Sequence, residues 1–164
     1  MSRSQVPPID PARIGRRLQA VFAHIHHARM AGLPIVHPGL SVAVVGARHW
    51  QQDWAGVLVT PWCMNLVLIP GPGSDLQPGT PGSKQWVALP AGEFELIASE
   101  ERGIGPFGAC SLFSPMQAFV DQAAALATAE AVMQQLFEPP PAPEPAAPAN
   151  VSRRALLRGD LGRA

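Results

Sequence analysis

The sequence predicts an α+β fold: an antiparallel β-meander of about six short strands, flanked by an N-terminal and a C-terminal helix. A Pro-rich C-terminal tail, expected to be disordered, follows it. Three observations carry this expectation. Helical spacing of apolar residues occurs near the start and again before Phe137, strand-like runs separated by Gly/Pro turns fill the middle, and the composition becomes low-complexity after Phe137. The chain's 164 residues suffice for one hydrophobic core and not for two. Residues 10–138 are therefore expected to form one domain, 139–151 a Pro/Ala-rich linker and 152–164 a basic tail.

Asp10 followed by Pro11 is a helix start, a capping carboxylate ahead of a proline whose missing N–H costs nothing at the first position. Ile14, Leu18, Val21, Phe22 and Ile25 then share one helix face, and Gly32 stops the helix. From Ser41 the period changes. The runs SVAVVGAR, WAGVLVT and CMNLVLI read as three strands, the second and third joined by a Pro61-Trp62 corner. PGPGSDLQPGTPGS is too rich in proline and glycine for a regular element. KQWVALP and EFELIAS follow around a Pro90-Ala91-Gly92 turn, and EERGIGP leads into FGACSLF. Ser114-Pro115 resembles the first helix start and predicts a second helix to about Phe137, buried along Phe119, Gln122, Ala123, Leu126, Ala129, Met133 and Leu136. Short sequential connections favour a meander with both helices on one face.

The formal net charge is zero, which argues against nucleic acid or an anionic membrane as the main partner. The N-terminus has no apolar signal region, and the run from Val57 to Ile69 is interrupted and shorter than the ~20 residues of a spanning helix. The expectation is a cytoplasmic protein without stable membrane insertion. The two cysteines, Cys63 and Cys110, belong to no C-x-x-C or Cys/His cluster, so neither a zinc site nor a disulfide framework is expected.

Four places in the chain invite a chemical reading. His24, His26 and His27 lie within one helical turn, but His24 and His26 point some 160° apart and the remaining pair is a poor zinc site. A solvated flank is the plainer reading. His49, Trp50, Asp53 and Trp54 form a polar-aromatic corner that contains an acid–base pair, yet no serine or cysteine has a nucleophile-elbow context. Cys63 begins a strand, where alternation groups it with Asn65, Val67 and Ile69 and places Met64, Leu66 and Leu68 on the other face. No cation near it in sequence activates the thiol, and Cys110 reads as a small buried hydrophobe. Finally, Ser152 to Arg158, SRRALLR, is close to the twin-arginine export consensus S-R-R-x-F-L-K, but an export signal is N-terminal and followed by an apolar stretch.

Several of these residues together resemble a known family. His37-Pro38, the Gly56–Thr60 strand entering Pro61-Trp62, the Pro70-Gly71-Pro72 exit, CSLFSP from Cys110 to Pro115 and RRALLRG from Arg153 to Gly159 are similar to the HybE/HupJ/HoxT family of accessory proteins for [NiFe]-hydrogenase maturation. The resemblance covers most of the chain apart from the linker. It implies a non-enzymatic chaperone without a cofactor that binds precursor hydrogenase subunits, notably the iron–sulfur small subunit with its twin-arginine signal peptide, and helps prevent premature export. Some relatives carry a fused rubredoxin domain with C-x-x-C iron ligands; that motif is absent here, so no electron-transfer role is carried over. Pro61, Trp62 and Met64 combine a rigid aromatic with an adaptable thioether and are the candidate partner contacts. In the tail the candidates are Arg153, Arg154, Leu156 and Leu157, as a pseudo-signal that occupies the chain's own client surface. The competing expectation is a thiol or iron–sulfur redox protein using Cys63 and Cys110, and a third is a generic peptide-binding module.

Overall fold

The structure is a computed structural model that describes residues 9–139. Helix α1 spans Pro11–Ile25, with Pro11 at its first position and the Asp10 carboxylate accepting from the Ala12 N–H at 3.1 Å. It runs into a π-helical turn, His26–Met30, and the chain reverses at Gly32, whose φ of +81° suits glycine. Six strands follow: β1 Ala43–Trp50, β2 Asp53–Val59, β3 Met64–Pro70, β4 Lys84–Leu89, β5 Gly92–Glu101 and β6 Gly105–Phe113. Helix α2, Gln122–Phe137, closes the described chain.

The six strands form one antiparallel sheet, as expected, in the order β1-β2-β3-β6-β5-β4. This order refines the meander into two three-stranded meanders that meet where β3 pairs with β6. The long Pro/Gly loop after β3 carries the chain to the far edge, so that two strands, β6 and β5, lie between β3 and β4.

The expectation that both helices cover one face is corrected. Along β2, Ala55, Val57 and Val59 point into a cluster with Ala125, Ala129, Met133, Leu136 and Phe137 of α2. Trp54 and Leu58 point the other way, to Leu18, Ile14 and Phe22 of α1. The helices therefore sandwich the β1–β3 half of the sheet, and every residue of β2 is buried. A strand covered on both faces loses polar/apolar alternation, which is why WAGVLV is apolar throughout. Burying a side chain such as Leu18 or Leu58 fully contributes about 1.5–3 kcal/mol relative to exposure.

A second correction concerns α2. Residues 114–121 are irregular, and the helix begins after Asp121, whose carboxylate accepts from the Ala124 N–H at 2.8 Å. Ser114-Pro115, a cis peptide, sits in the turn before it. Its buried stripe is Ala125, Ala129, Met133, Leu136 and Phe137, with Ala123 exposed. The Gln122 amide fixes the helix start to the chain entering β1, accepting from Ser41 N–H at 2.9 Å and donating to Ser41 carbonyl at 3.2 Å. A bulge in β1 puts Gly46 at φ +70°, where an added Cβ would lie 2.7 Å from Met133 Cγ. Glycine lets α2 lie that close to the sheet.

Candidate functional site

The Pro61-Trp62 corner is built by one hydroxyl. Thr60 is fully buried, and its Oγ1 donates to the Cys63 carbonyl at 2.9 Å. The same oxygen accepts from the Cys63 N–H at 2.9 Å and the Trp62 N–H at 3.2 Å. The backbone closes the turn in parallel, Thr60 N–H to Cys63 carbonyl at 2.9 Å. With its turn amides satisfied internally, the corner fixes the backbone that carries Trp62 beyond the end of β2.

The segment between the π-helical turn and β1 is laced onto this corner. His37 N–H donates to the Pro61 carbonyl at 2.8 Å. The His37 ring bridges further: Nδ1 accepts from Gly39 N–H at 2.9 Å and Nε2 donates to the Phe119 carbonyl at 2.8 Å, so the proton sits on Nε2. The Gln117 amide donates to the Ile35 carbonyl at 3.0 Å. Three adjoining segments thus meet around His37, and they carry exposed apolar side chains: Leu33 at 45%, Ile35 at 41% and Val120 at 84%. Trp62 is partly buried, its ring centroid 5.8 Å from that of His26, which in turn stacks on His27 at 5.3 Å. Apolar groups held open by a hydrogen-bonded frame suit contact with another apolar chain.

Of the expected contacts, Trp62 is on this surface. Pro61 is buried and shapes the corner through its carbonyl. Met64 is corrected: it is fully buried in the α2-side cluster with Leu66, Leu68 and Met116, as strand alternation from Leu66 requires. Arg153, Arg154, Leu156 and Leu157, and the linker beyond residue 139, lie outside the described residues. The sequence reading missed Leu33, Ile35 and Val120 as parts of the surface, and Thr60, His37 and Gln117 as the groups that frame it. Only the lone apolar residues between Gly32 and Pro38 gave a local signal.

The remaining sites separate. His24 and His27 are exposed, as a solvated flank should be, while His26 is partly buried beside Trp62. Among the described residues no group of three or more His, Cys, Asp or Glu is placed to hold a metal. At the β1–β2 hairpin, Trp50 lies edge-on to Phe137 at 5.2 Å, and Trp54 donates its indole N–H to the Pro11 carbonyl at 2.9 Å. His49 pairs across the strands with Trp54 and Asp53 with Trp50, which puts their side chains on opposite faces of the hairpin, and the Asp53 Oδ1 has no hydrogen-bond partner among the described residues. Both cysteines are free thiols. Burial pushes the Cys63 thiol up, against a smaller opposing pull from Thr60, whose Oγ1 lies 3.4 Å away. Burial, then the negative charge of Glu95, pushes Cys110 up as well. Thiols held protonated in this way are poor nucleophiles and poor ligands. Cys110 packs on the α2-side cluster, whereas Val67 and Ile69, which alternate with Cys63, belong to the α1 side.

Comparison with known proteins follows the same lines. The family model described as "[NiFe]-hydrogenase assembly, chaperone, HybE" matches residues 13–159. The chain is 44% identical over 135 residues to the hydrogenase expression/formation protein HupT of Azotobacter chroococcum mcd 1, covering 82% of this chain and 87% of the relative. It is 41% identical to the hydrogenase expression/formation protein HoxT of Azotobacter vinelandii, covering 88% and 95%. The solution structure of HybE from Escherichia coli superposes with a TM-score of 0.63 at 24% identity, over 85% of this chain and 88% of that one, and shows the same fold.

Proposed function

This chain belongs to the HybE family of [NiFe]-hydrogenase assembly chaperones, and on that premise we propose that it is a non-enzymatic holdase for precursor hydrogenase subunits. Its client is the iron–sulfur small subunit carrying a twin-arginine signal peptide, and holding it on the cytoplasmic side delays export until assembly is complete. The observation that supports this reading is the frame around His37, which ties the Pro61-Trp62 corner to segments that carry the exposed Leu33, Ile35 and Val120. Partly assembled subunits expose apolar segments that later become interface, and apolar side chains held by a hydrogen-bonded frame bind such segments with little ordering cost on their own side.

The experiment is co-purification of a tagged small-subunit precursor, with and without its signal peptide, using the wild-type chain and a Trp62→Ala/Ile35→Ser variant. The expected result is retention of the precursor by wild type and at least a tenfold loss of affinity in the variant, about 1.4 kcal/mol. Equal retention by both would remove the surface from the proposal. Failure to retain the precursor at all, with or without its signal, would remove the client. The redox alternative is tested by replacing both cysteines with serine: client binding is expected to survive, and its loss would favour the thiol reading.

A further inference from the structure

The two edges of the sheet are not alike. At one edge β1 is broken by the bulge at Gly46, carries Arg48 and His49, and has a helix packed against each face. Bulges, charges and covered faces are ordinary defences against an added strand. At the other edge β4 pairs with β5 in unbroken register, from Lys84 opposite Ile97 to Leu89 opposite Gly92. No other backbone among the described residues bonds to it. It has no proline, and its one charged residue, Lys84, is drawn to Glu95 at 3.5 Å. Alternate residues of such a strand aim their N–H and C=O groups away from the sheet.

One face of this edge is also open. The cluster beneath α1 contains no residue of β4 or β5. Register puts Lys84, Trp86 and Ala88 on that side, directly opposite Ile97, Glu95 and Glu93. Ile97 pairs in turn with Ala109, which packs on the α1 cluster and so identifies the face. Trp86 is 56% exposed and Ile97 43%, and neither belongs to the surface around His37. Glu93 is exposed and takes part in no ion pair among the described residues. Only the small Ala88 stands between Glu93 and the edge, with Trp86 two residues along as its neighbour. On the opposite face the edge residue Gln85 borders a cavity of about 200 Å³, lined also by Gln77 and Pro78 of the loop after β3. The Gln85 Oε1 is buried without a hydrogen-bond partner among the described residues, a cost that an incoming donor offsets.

We infer that β4 is the seat of an extended segment of a partner chain, which adds to the sheet as a further strand and carries an arginine and an apolar residue two positions apart. That spacing places both side chains on one face. The apolar one lies beside Trp86, and the arginine lies beside Ala88 and reaches over it to the Glu93 carboxylate, its guanidinium along the indole. The added strand and β5 are two strand spacings apart, roughly 10 Å, a span that arginine and glutamate close from opposite sides. The residue between them faces Gln85. The consensus S-R-R-x-F-L-K has this spacing in its second arginine and its phenylalanine. Resting on the client proposed above, the segment is therefore the twin-arginine signal, while the surface around His37 takes apolar segments of the subunit itself.

The probe is a synthetic peptide of that consensus, titrated into the full chain and followed by 15N–1H spectra. The expected result is shifts at the Trp86 indole and along the Lys84–Leu89 amides, with the Trp62 indole and the Ile35 amide unmoved. Trp86→Ala is expected to weaken binding about tenfold. Glu93→Gln, and glutamine in place of the peptide's second arginine, should each weaken it about threefold, and together no more than either alone. N-methylation of the peptide backbone at successive residues should abolish binding at alternate positions only, because an added strand turns every second N–H toward β4. Shifts confined to Trp62 and Ile35, additive losses, or uniform tolerance of N-methylation would each overturn the edge as the seat. Edge shifts that grow with protein concentration in the absence of peptide would give β4 to a second copy and overturn it as well. The client reading fails separately, by a precursor that is not retained although the peptide still binds at β4.

Discussion

Thr60→Val asks whether one buried hydroxyl builds the corner that carries Trp62. The substitution keeps size and β-branching and removes only the polar atom. In the native corner Oγ1 serves the Cys63 carbonyl, the Cys63 N–H and the Trp62 N–H. Valine leaves the carbonyl with the Thr60 N–H and leaves both amides without their acceptor. A buried donor without a partner costs about 1–3 kcal/mol, and water reaching the partly exposed Trp62 recovers part of the second, for a net of about 2–3 kcal/mol. Thr60→Ser keeps the hydroxyl and loses one buried methyl, about 1 kcal/mol. At roughly 3–4 °C per kcal/mol for a domain of this size, valine lowers Tm by about 7–10 °C and serine by about 3–4 °C. Thermal unfolding followed by near-ultraviolet circular dichroism, with urea titrations to check that the m-value is unchanged, separates the two. A valine variant as stable as the serine variant would refute the reasoning, because the corner would then rest on packing and not on the hydroxyl.

Other expectations follow from the same structure. Gly71→Ala drives a Cβ into the backbone carbonyl of Gln52, which cannot move as a side chain can. It should destabilise the fold by about 1–3 kcal/mol in urea titrations and displace the Gln52 amide resonance. Both thiols have folded pKa values raised by burial, so their contribution to stability is complete below the ordinary thiol value of about 8.5 and is lost as pH rises through the folded values. Urea midpoints should accordingly fall above that pH in wild type and fall less in the Cys63→Ser/Cys110→Ser variant. Iodoacetamide should modify the native chain more slowly at pH 8 than it modifies the chain in urea. Ending the chain at Asn150 should tighten binding of a synthetic twin-arginine signal peptide measured by titration calorimetry. Unchanged affinity would refute the reading of the tail as a pseudo-signal on the client surface, and weaker affinity would make the tail a client-binding arm.

Some of this architecture is written locally and some is not. Asp10-Pro11 announces α1 because capping is a contact between neighbours, and the structure uses that carboxylate. Ser114-Pro115 offers the same local pattern without a helix, since Asp121 supplies the cap six residues beyond that proline. Two candidate caps in one stretch are decided by where the following face can bury, which is a long-range matter. Met64 shows a different failure. Alternation alone placed it with Leu66 and Leu68, and its neighbour Trp62 suggested a surface role that the pleat does not allow. The placement of helices on both faces is legible in β2, whose unbroken apolar run signals cover on both sides, whereas the short connections by themselves point to one face. The surface around His37 was not legible, because it is assembled from residues near 35, 61 and 119 that only tertiary hydrogen bonds bring together.

The seam between β3 and β6 also sets the order in which the chain can assemble. Within each half of the sheet, strands pair with their immediate successors across short turns, so both halves can form by rapid local closure. The seam instead joins residues such as Leu66 and Cys110, and must close the whole intervening segment before it gains anything. Substitutions at the seam should therefore slow folding if it forms in the transition state, while those in the β4–β5 hairpin mainly change the unfolding rate. Lengthening the Pro/Gly loop at residues 74–82 should cost little equilibrium stability, about 0.6 kcal/mol per doubling of the closed segment, yet delay the step that joins the two halves.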